Sequence, residues 1–452
     1  VLGGDNYRIG MGGGAVSSVA TGEYGNTIEL NAVQRANPEM QKRVYNAIRA
    51  MAEDNDNRIV SIHDHGAGGH LNSLSELVEE TGGSIDIGKL PVGDPTLSFK
   101  EILGNESQER MGLVLKEKDI KSFKKICERE RAPFYAAGKV SNDHILKFYK
   151  DDEAPINIDL GYLFGKPPKT ELTDTTTVKK YSEIKYDPEK FEEYLENVLQ
   201  LEAVACKDWL INKVDRSVTG RVAKQQCAGP VQLPLNNLGV IALDYQGEKG
   251  VATAMGHAPI PALIDPAKGS VLSVAEALTN IIWAPIEDGL KGISLSANWM
   301  WPAKNEGENA SLYQAAQSIS NFCCDLGINI PTGKDSLSMA QKYPDGETVF
   351  SPGTVIVSAV GEVTNIRKVV EPVLKNDPTK NIYYINLSKD KFKLGGSSFA
   401  QSLNQLGNDC PVIRDAEYFK KAFSVIQKLI SNGQLLAGHD VSAGGMITAL
   451  LE

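Results

Sequence analysis

The sequence predicts an α/β (α+β) protein built from two copies of one unit. Three observations lead there. Apolar strand-like runs alternate with runs of helical period along most of the 452 residues. Glycines cluster at joints between them, in RIGMGGGAVSS, HGAGG and VSAGG. Two short motifs then return, in the same order, late in the chain.

In chain order, VQRANPEMQKR places Gln34 just before Asn37-Pro38, a pair that opens a helix. NRIVSIHD reads as a strand through Ile59, Val60 and Ile62 that ends at His63-Asp64. LNSLSELVEE then reads as a helix with Leu71, Leu74, Leu77 and Val78 on one face. GNESQER, residues 104–110, puts a polar run before the strand MGLVL, and is either a binding edge or a surface loop. Residues 166–190 are rich in Lys, Thr and Glu without a strong period, as a linker would be. SVAEALTNII and ENASLYQAAQSISNFCCDLG are helices, the second stopped by Gly327, and TVIVSAVGEV is a strand.

The repeat is the most informative feature. IHDHGAGGHLNSLSELVEE returns as GHDVSAGGMITALLE, with Asp64 and Asp440 376 positions apart. NYRIGMGGGAVSSV resembles KFKLGGSSFAQSL, with Gly13 and Gly395 382 positions apart. Two anchors at nearly one offset imply duplication of a domain-sized unit, far longer than a solenoid repeat.

Each copy carries a strand ending in His-Asp, then a Gly-Gly turn, then a helix. That arrangement sets a carboxylate at a strand end beside the free N–H groups of a helix start. Gly66, Gly68 and Gly69 let backbone approach a bound group closely. The N–H groups suit phosphate and the aspartate suits its Mg²⁺. The alternative is a tight turn whose aspartate caps the helix. Zinc fits His63, His65 and His70 poorly, because no further Cys or His completes a four-ligand set and only His63 recurs, as His439. GKDS at 333–336 is not a P-loop; Lys334 there either meets phosphate or sits in a helix-initiating turn. Glu276 and Asn280, four apart, share a helix face and can converge on a hard cation or simply face water.

Bulk properties exclude several classes. The net charge of −10 argues against nucleic acid as the main partner. Six cysteines without CxxC spacing read as reduced thiols in a cytoplasmic protein. No signal peptide or membrane-spanning run is visible, and the length predicts about three domains. A start at Val1 and an end inside a helical pattern are read as a fragment of a larger chain.

The blocks GGDNYRIGMGGGAVSS, VQRANPEM, HDHGAGG, NESQERMGL, RERAPF, VTGRVAKQQCAGPVQLP, AEALTNI, LSANWM, IPTGKDSLSM and HDVSAGG follow one another across nearly the whole chain. In that order they resemble the large, single-chain phosphoribosylformylglycinamidine synthases, within the wider aminoimidazole ribonucleotide synthetase-like superfamily. The resemblance implies tandem units, each with a ferredoxin-like, barrel-forming amino half and an αβα carboxyl half, truncated here at both ends. Residues 1–150 would be the carboxyl half of the first unit and 151–199 a linker. Residues 200–365 would be the amino half of the second unit, and 366–452 the start of its carboxyl half.

The family reaction it implies is ATP-dependent conversion of formylglycinamide ribonucleotide to the amidine with ammonia from glutamine. The resemblance gives Asp64 the nucleotide's metal, Gly66, Gly68 and Gly69 the nucleotide, and Gln34, Glu106, Ser107 and Gln108 the substrate. At an auxiliary site of the second unit it gives Lys207 and Ser442 the nucleotide, and Asn237, Glu276, Asn280 and Asp440 magnesium. Asn237 and Ala443 stand where the large enzymes have or often have aspartate, which predicts weaker cation binding. The THNHP stretch with the family's catalytic histidine is missing, so no catalytic residue is expected in this chain. The implied partners are ATP, ADP, substrate and a glutaminase domain of the same parent chain, with no product made by this stretch alone. The rival readings are a non-catalytic nucleotide-binding scaffold and another synthetase or kinase of the superfamily.

Overall fold

A computed structural model of the chain describes residues 1–10, 19–34, 37–107, 109–166, 169, 171–211, 220–233 and 235–452. It divides into two compact units, Val1–Glu171 with Ala340–Val349, and Leu172–Met339 with Phe350–Glu452. Gly13, one repeat anchor, lies outside the described residues.

The first unit contains α1 (Asn26–Leu30), α2 (Pro38–Ala52), β1 (Ile59–Asp64), α3 (Gly69–Leu77), β2 (Gly83–Asp86) and α4 (Phe99–Leu103). It continues with β3 (Met111–Leu115), α5 (Glu117–Glu130), β4 (Gly138–Val140), β5 (Ile145–Lys150), β6 (Glu153–Asp159) and α6 (Leu160–Phe164). Asn37 caps α2 by accepting from the Met40 N–H at 3.0 Å, with Pro38 in the first turn, as the sequence predicts. Strands β1 and β3 pair antiparallel, placing Asp64 opposite Met111. Val44, Ala47 and Met51 of α2 bury one core with Phe123 and Cys127 of α5. Leu74 of α3, with Val78 just after it, joins a second core with Ile85, Leu146 and Phe148 of the sheet β4-β2-β5-β6. Since β6 and α6 belong to this unit, structure runs beyond position 150, into what the sequence reads as linker.

The second unit contains α7 (Phe191–Leu199), α8 (Asp208–Ile211), β7 (Val222–Lys224), β8 (Leu238–Ala242), β9 (Gly250–His257), α9 (Pro259–Ile264) and α10 (Pro266–Ile281). After these come β10 (Ile293–Met300), α11 (Glu308–Leu326) and β11 (Asn329–Ser336); the hairpin that follows, β12 (Ala340–Lys342) and β13 (Thr348–Phe350), belongs to the first unit through Val349. The last elements are β14 (Thr354–Val363), α12 (Ser398–Ser402), α13 (Ala416–Ser431) and α14 (Gly445–Leu451). Six strands form one sheet in the order β11-β10-β14-β9-β8-β7. Helix α10 is capped by Asp265, which accepts from Ala267 N and Lys268 N at 3.1 Å each. Its face of Val274, Ala277, Leu278 and Ile281 is buried with the sheet.

Phe419, Phe423, Ile426 and Ile430 form the buried stripe of α13, and they share one core with the sheet and α10. At roughly 1.5–3 kcal/mol per fully buried large apolar side chain, this packing outweighs any tendency of the two segments to separate. Segments 200–365 and 366–452, read from the sequence as the two halves of the second unit, thus contribute to one core. GKDS lies on β11, so Lys334 sits on an edge strand and not in a helix-initiating turn. Among the described residues, no helix is long and apolar enough to cross a membrane.

Candidate functional site: two matching glycine turns

The duplicated motif builds the same glycine turn twice, before α3 and before α14, but the strand expected ahead of each turn is present only in the first copy: β1 ends at Asp64, whereas no strand leads into Asp440 among the described residues. Gly68 and Gly444 cap α3 and α14 in the left-handed region, at φ 81° and 87°, and Gly69 and Gly445 follow at 56° and 75°. Residues with a Cβ rarely adopt that region, so glycine here is a backbone requirement. The tight turn Gly66–Gly69 is closed by Gly69 N–H donating to Gly66 C=O at 3.0 Å, and its equivalent by Gly445 N–H donating to Ser442 C=O at 2.9 Å.

A second matched feature escaped the sequence reading. His63 donates through Nδ1 to the Asp64 carbonyl at 2.7 Å, and its Nε2 pairs with Glu76 on α3. His439 donates to the Asp440 carbonyl at 2.6 Å, and its Nε2 pairs with Glu452 at 2.9 Å. Each pair ties the His-Asp step to the far part of the helix that follows it, Glu76 within α3 and Glu452 at the end of α14. The signal was present: Glu76 and Glu452 occupy the same place after their aspartates. The Asp64 carbonyl, then Glu76 and Asp64 against partial desolvation, raises the His63 pKa. Burial pulls on His439, but Glu452 and Asp440 outweigh it and the net shift is upward.

In the first unit the Asp64 side chain is 63% exposed at the lip of its corner. Nearby, Gln34 N–H donates to Glu106 C=O at 3.0 Å, and Gln34 pairs with Ser107, so these three residues lie together. The Gln34 side chain donates to the Asp5 carbonyl at 2.8 Å and accepts from the Tyr7 N–H at 3.1 Å. The Ser107 hydroxyl is buried without a partner among the described residues. Gln108 lies outside the described residues. His65 and His70 do not face Asp64; both are fully buried and hydrogen-bond to each other at 2.8 Å. Desolvation holds both well below the ordinary histidine pKa.

The second corner is closed in. The Asp440 carboxylate is 4% exposed and accepts from Asn237 Nδ2 at both oxygens, at 3.1 and 2.9 Å. Glu276 accepts from the His257 N–H at 2.8 Å, and Asn280 donates to the Met255 carbonyl at 2.7 Å. These bonds exist because α10 lies directly on β9: a Cβ on Gly256 would be 2.2 Å from the Ser273 carbonyl. Desolvation, and then the charge of Asp440, push the Glu276 carboxyl up to about 7. Desolvation also raises Asp440, against opposing contributions from His439, Asn237 and Ser442. The Lys207 ammonium donates to the Ala205 carbonyl at 2.9 Å rather than to these acids.

The donor set fits a hard cation. Magnesium takes oxygen ligands, and the buried Asn280 Oδ1 has no hydrogen-bond partner among the described residues. An orphaned buried acceptor costs roughly 1–3 kcal/mol, which a cation would recover. Two mutually repelling buried carboxyls would be relieved in the same way. The set is lean: among the described residues no three His, Cys, Asp or Glu side chains group to hold a metal, so the remaining donors are carboxamides. Replacing Asn237 with aspartate adds a third acid and removes both hydrogen bonds to Asp440. The Asn237→Asp chain is expected to lose roughly 1–3 kcal/mol of stability without metal at pH 8 and to bind Mg²⁺ more tightly. Thermal melts with and without Mg²⁺ check this; equal metal responses in the two proteins contradict it.

Comparison with known proteins follows the same division. The family model for the C-terminal domain of AIR synthase related proteins matches residues 1–151, and that for the FGAR-AT PurM_N-like domain matches 206–362. The Dictyostelium discoideum phosphoribosylformylglycinamidine synthase is 42% identical over 469 aligned residues, covering 100% of this chain and 34% of the relative. The human phosphoribosylformylglycinamidine synthase is 39% identical, covering 100% of this chain and 35% of the relative. The chain thus spans about a third of the length of the curated relatives it matches. Among solved structures, Thermotoga maritima PurL complexed with FGAR superposes with a TM-score of 0.64 at 20% identity, covering 96% of this chain and 61% of that one. The same protein complexed with ADP gives 0.58 at 20% identity, covering 82% and 54%. At these identities the superpositions establish the AIR synthase-like fold.

Proposed function

Since the chain belongs to the phosphoribosylformylglycinamidine synthase family, we propose that it forms the middle of a synthetase region that makes formylglycinamidine ribonucleotide. The substrates are formylglycinamide ribonucleotide, ATP and ammonia derived from glutamine. An amide oxygen is a poor leaving group. ATP phosphorylates it, ammonia adds to the activated carbon, and phosphate departs, leaving ADP, phosphate and the amidine. Such chemistry asks for positioning and charge neutralisation rather than a protein nucleophile.

The observation that supports this best is the twice-built Asp-x-x-x-Gly-Gly corner, with Gln34, Glu106 and Ser107 gathered below the first copy. In the first unit, the N–H groups of the Gly66–Gly69 turn hold phosphate, Asp64 holds its Mg²⁺, and Gln34, Glu106, Ser107 and Gln108 face substrate. In the second unit, Asp440, Glu276, Asn280 and Asn237 hold Mg²⁺ at an auxiliary nucleotide site, with Ser442 and Lys207 near the phosphates. Bound Mg²⁺ would supply charge neutralisation of the polyphosphate. The glutaminase is a domain of the parent chain, and the setting is cytoplasmic.

In the full-length protein carrying this segment, Asp64→Asn is expected to lower glutamine-dependent amidine formation by about 100-fold or more, as loss of a metal-bridging charge does. Unchanged turnover would reject the role given to Asp64. The scaffold reading predicts nucleotide binding without substrate binding; titration calorimetry with formylglycinamide ribonucleotide separates the two.

A further inference from the structure

Below the first corner, Arg110 is buried with no exposed surface, between two asparagines and a histidine. Its Nη1 donates to Asn6 Oδ1 and its Nη2 to Asn105 Oδ1. Nη1 also lies 3.0 Å from His70 Nε2. A guanidinium has only donors, so His70 Nε2 presents a lone pair. Asn6 enforces the same state. Its Nδ2 donates to the Pro91 carbonyl at 2.9 Å, which fixes the amide orientation, and lies 3.2 Å from His70 Nε2. The His70 proton is therefore on Nδ1, which faces His65 Nε2 at 2.8 Å. That nitrogen must accept, so the His65 proton is also on Nδ1, an atom buried without a partner among the described residues.

The series runs one way, from Arg110 through His70 to His65, and it joins three segments. Asn6 lies near the start of the chain, His65 and His70 flank the Gly66–Gly69 turn, and Asn105 opens the NESQ run. Backbone bonds close the loop: His65 N–H donates to Arg110 C=O at 3.3 Å, Ser107 N–H to His65 C=O at 3.2 Å, and Arg110 N–H to Ser107 C=O at 3.1 Å. The two turns touch, since a Cβ on Gly69 would be 2.5 Å from the Asn105 carbonyl oxygen.

We infer that Arg110 is a positioning residue: through the directed pair His70 and His65 it locks the Gly66–Gly69 turn against the Asn105–Ser107 turn. Neither turn then drifts independently of the other. The lock itself does not depend on the nucleotide reading; its benefit to a bound phosphate rests on that reading.

The test is read first on the ligand-free chain by long-range proton–nitrogen NMR of its six histidines, with His65→Gln and His70→Gln for assignment. Both rings are expected as Nδ1–H tautomers, and an Nε2–H tautomer at either overturns the inference. In Arg110→Met, amide exchange at His65 and Ser107 is expected to rise at least about tenfold over wild type, with the second unit's sheet unchanged. Arg110→Lys keeps the charge but cannot reach Asn6, Asn105 and His70 together, so it should fall between. Wild-type exchange in both variants overturns the inference. If Arg110→Met fails to fold, the lysine variant and the wild-type tautomers still decide. A final arm adds MgATP: slowed exchange at Gly69 and Ser107 in wild type, weaker in Arg110→Lys, is expected. No slowing in wild type would count against the nucleotide reading and leave the lock standing.

Discussion

Glu276→Gln is expected to stabilise the metal-free chain by about 3 kcal/mol at pH 8 while removing most of its Mg²⁺ affinity. The Glu276 carboxyl is held at about 7 against an ordinary 4.5. Its pKa is raised on folding, so the folded state holds the proton more tightly than the unfolded state. The associated stability is complete below about pH 4.5 and is lost as pH rises to about 7. A difference of about 2.5 pH units corresponds to on the order of 3 kcal/mol. Glutamine keeps the hydrogen bond from the His257 N–H and never ionises, so that loss disappears. Mg²⁺ needs the ionised acid, so its affinity for wild type should climb as pH approaches about 7. Urea titrations at pH 5 and pH 8, with and without Mg²⁺, check both halves. A wild-type chain as stable at pH 8 as at pH 5, with glutamine making no difference, would contradict them.

Gly69→Ala and Gly445→Ala should differ sharply although they occupy equivalent places. A Cβ on Gly69 meets Asn105 backbone atoms at 2.5 to 2.7 Å, and backbone cannot step aside. Overpacking of that kind costs roughly 1–3 kcal/mol and a left-handed alanine about 1 more. Gly445, at φ 75°, has nothing within 4 Å of a built Cβ, so only the backbone cost of about 1 kcal/mol applies. The four tryptophans, Trp209, Trp283, Trp299 and Trp301, all lie in the second unit. Far-ultraviolet circular dichroism should therefore register the loss in Gly69→Ala while the tryptophan fluorescence transition stays put. Equal losses in the two variants would mean that the first turn is not packed on the NESQ run.

How legible these features were depended on whether their cause is local. Strands 59–64, 111–115 and 354–363 and helix 308–326 were readable because apolar period, caps and glycine stops are written in adjacent residues. The two corners were readable because duplication made one motif vouch for the other. The matched His63–Glu76 and His439–Glu452 pairs were missed although the repeat carried them, since glutamate on a helix is usually solvated. Arg110 was read as part of a polar run. Its burial is set by Asn6, His70 and Asn105, which only the folded chain brings together. The strand β6, inside the 151–199 stretch that the resemblance gave as linker, was not legible because it is largely exposed and is held by pairing with β5 rather than by an apolar pattern of its own. Of the two readings of GKDS, the helix-initiating turn fell because its strand conformation comes from pairing with β10.

A magnesium ion proposed at Asp440, Glu276 and the free oxygen of Asn280 would be seen in crystals grown with Mn²⁺ in place of Mg²⁺, and with ADP, by anomalous scattering. The expected map shows an anomalous peak bonded to those three side chains, with the diphosphate on the turn before α14. A map in which Asn280 Oδ1 and Asp440 bond only to protein or water, with manganese elsewhere or absent, would contradict it.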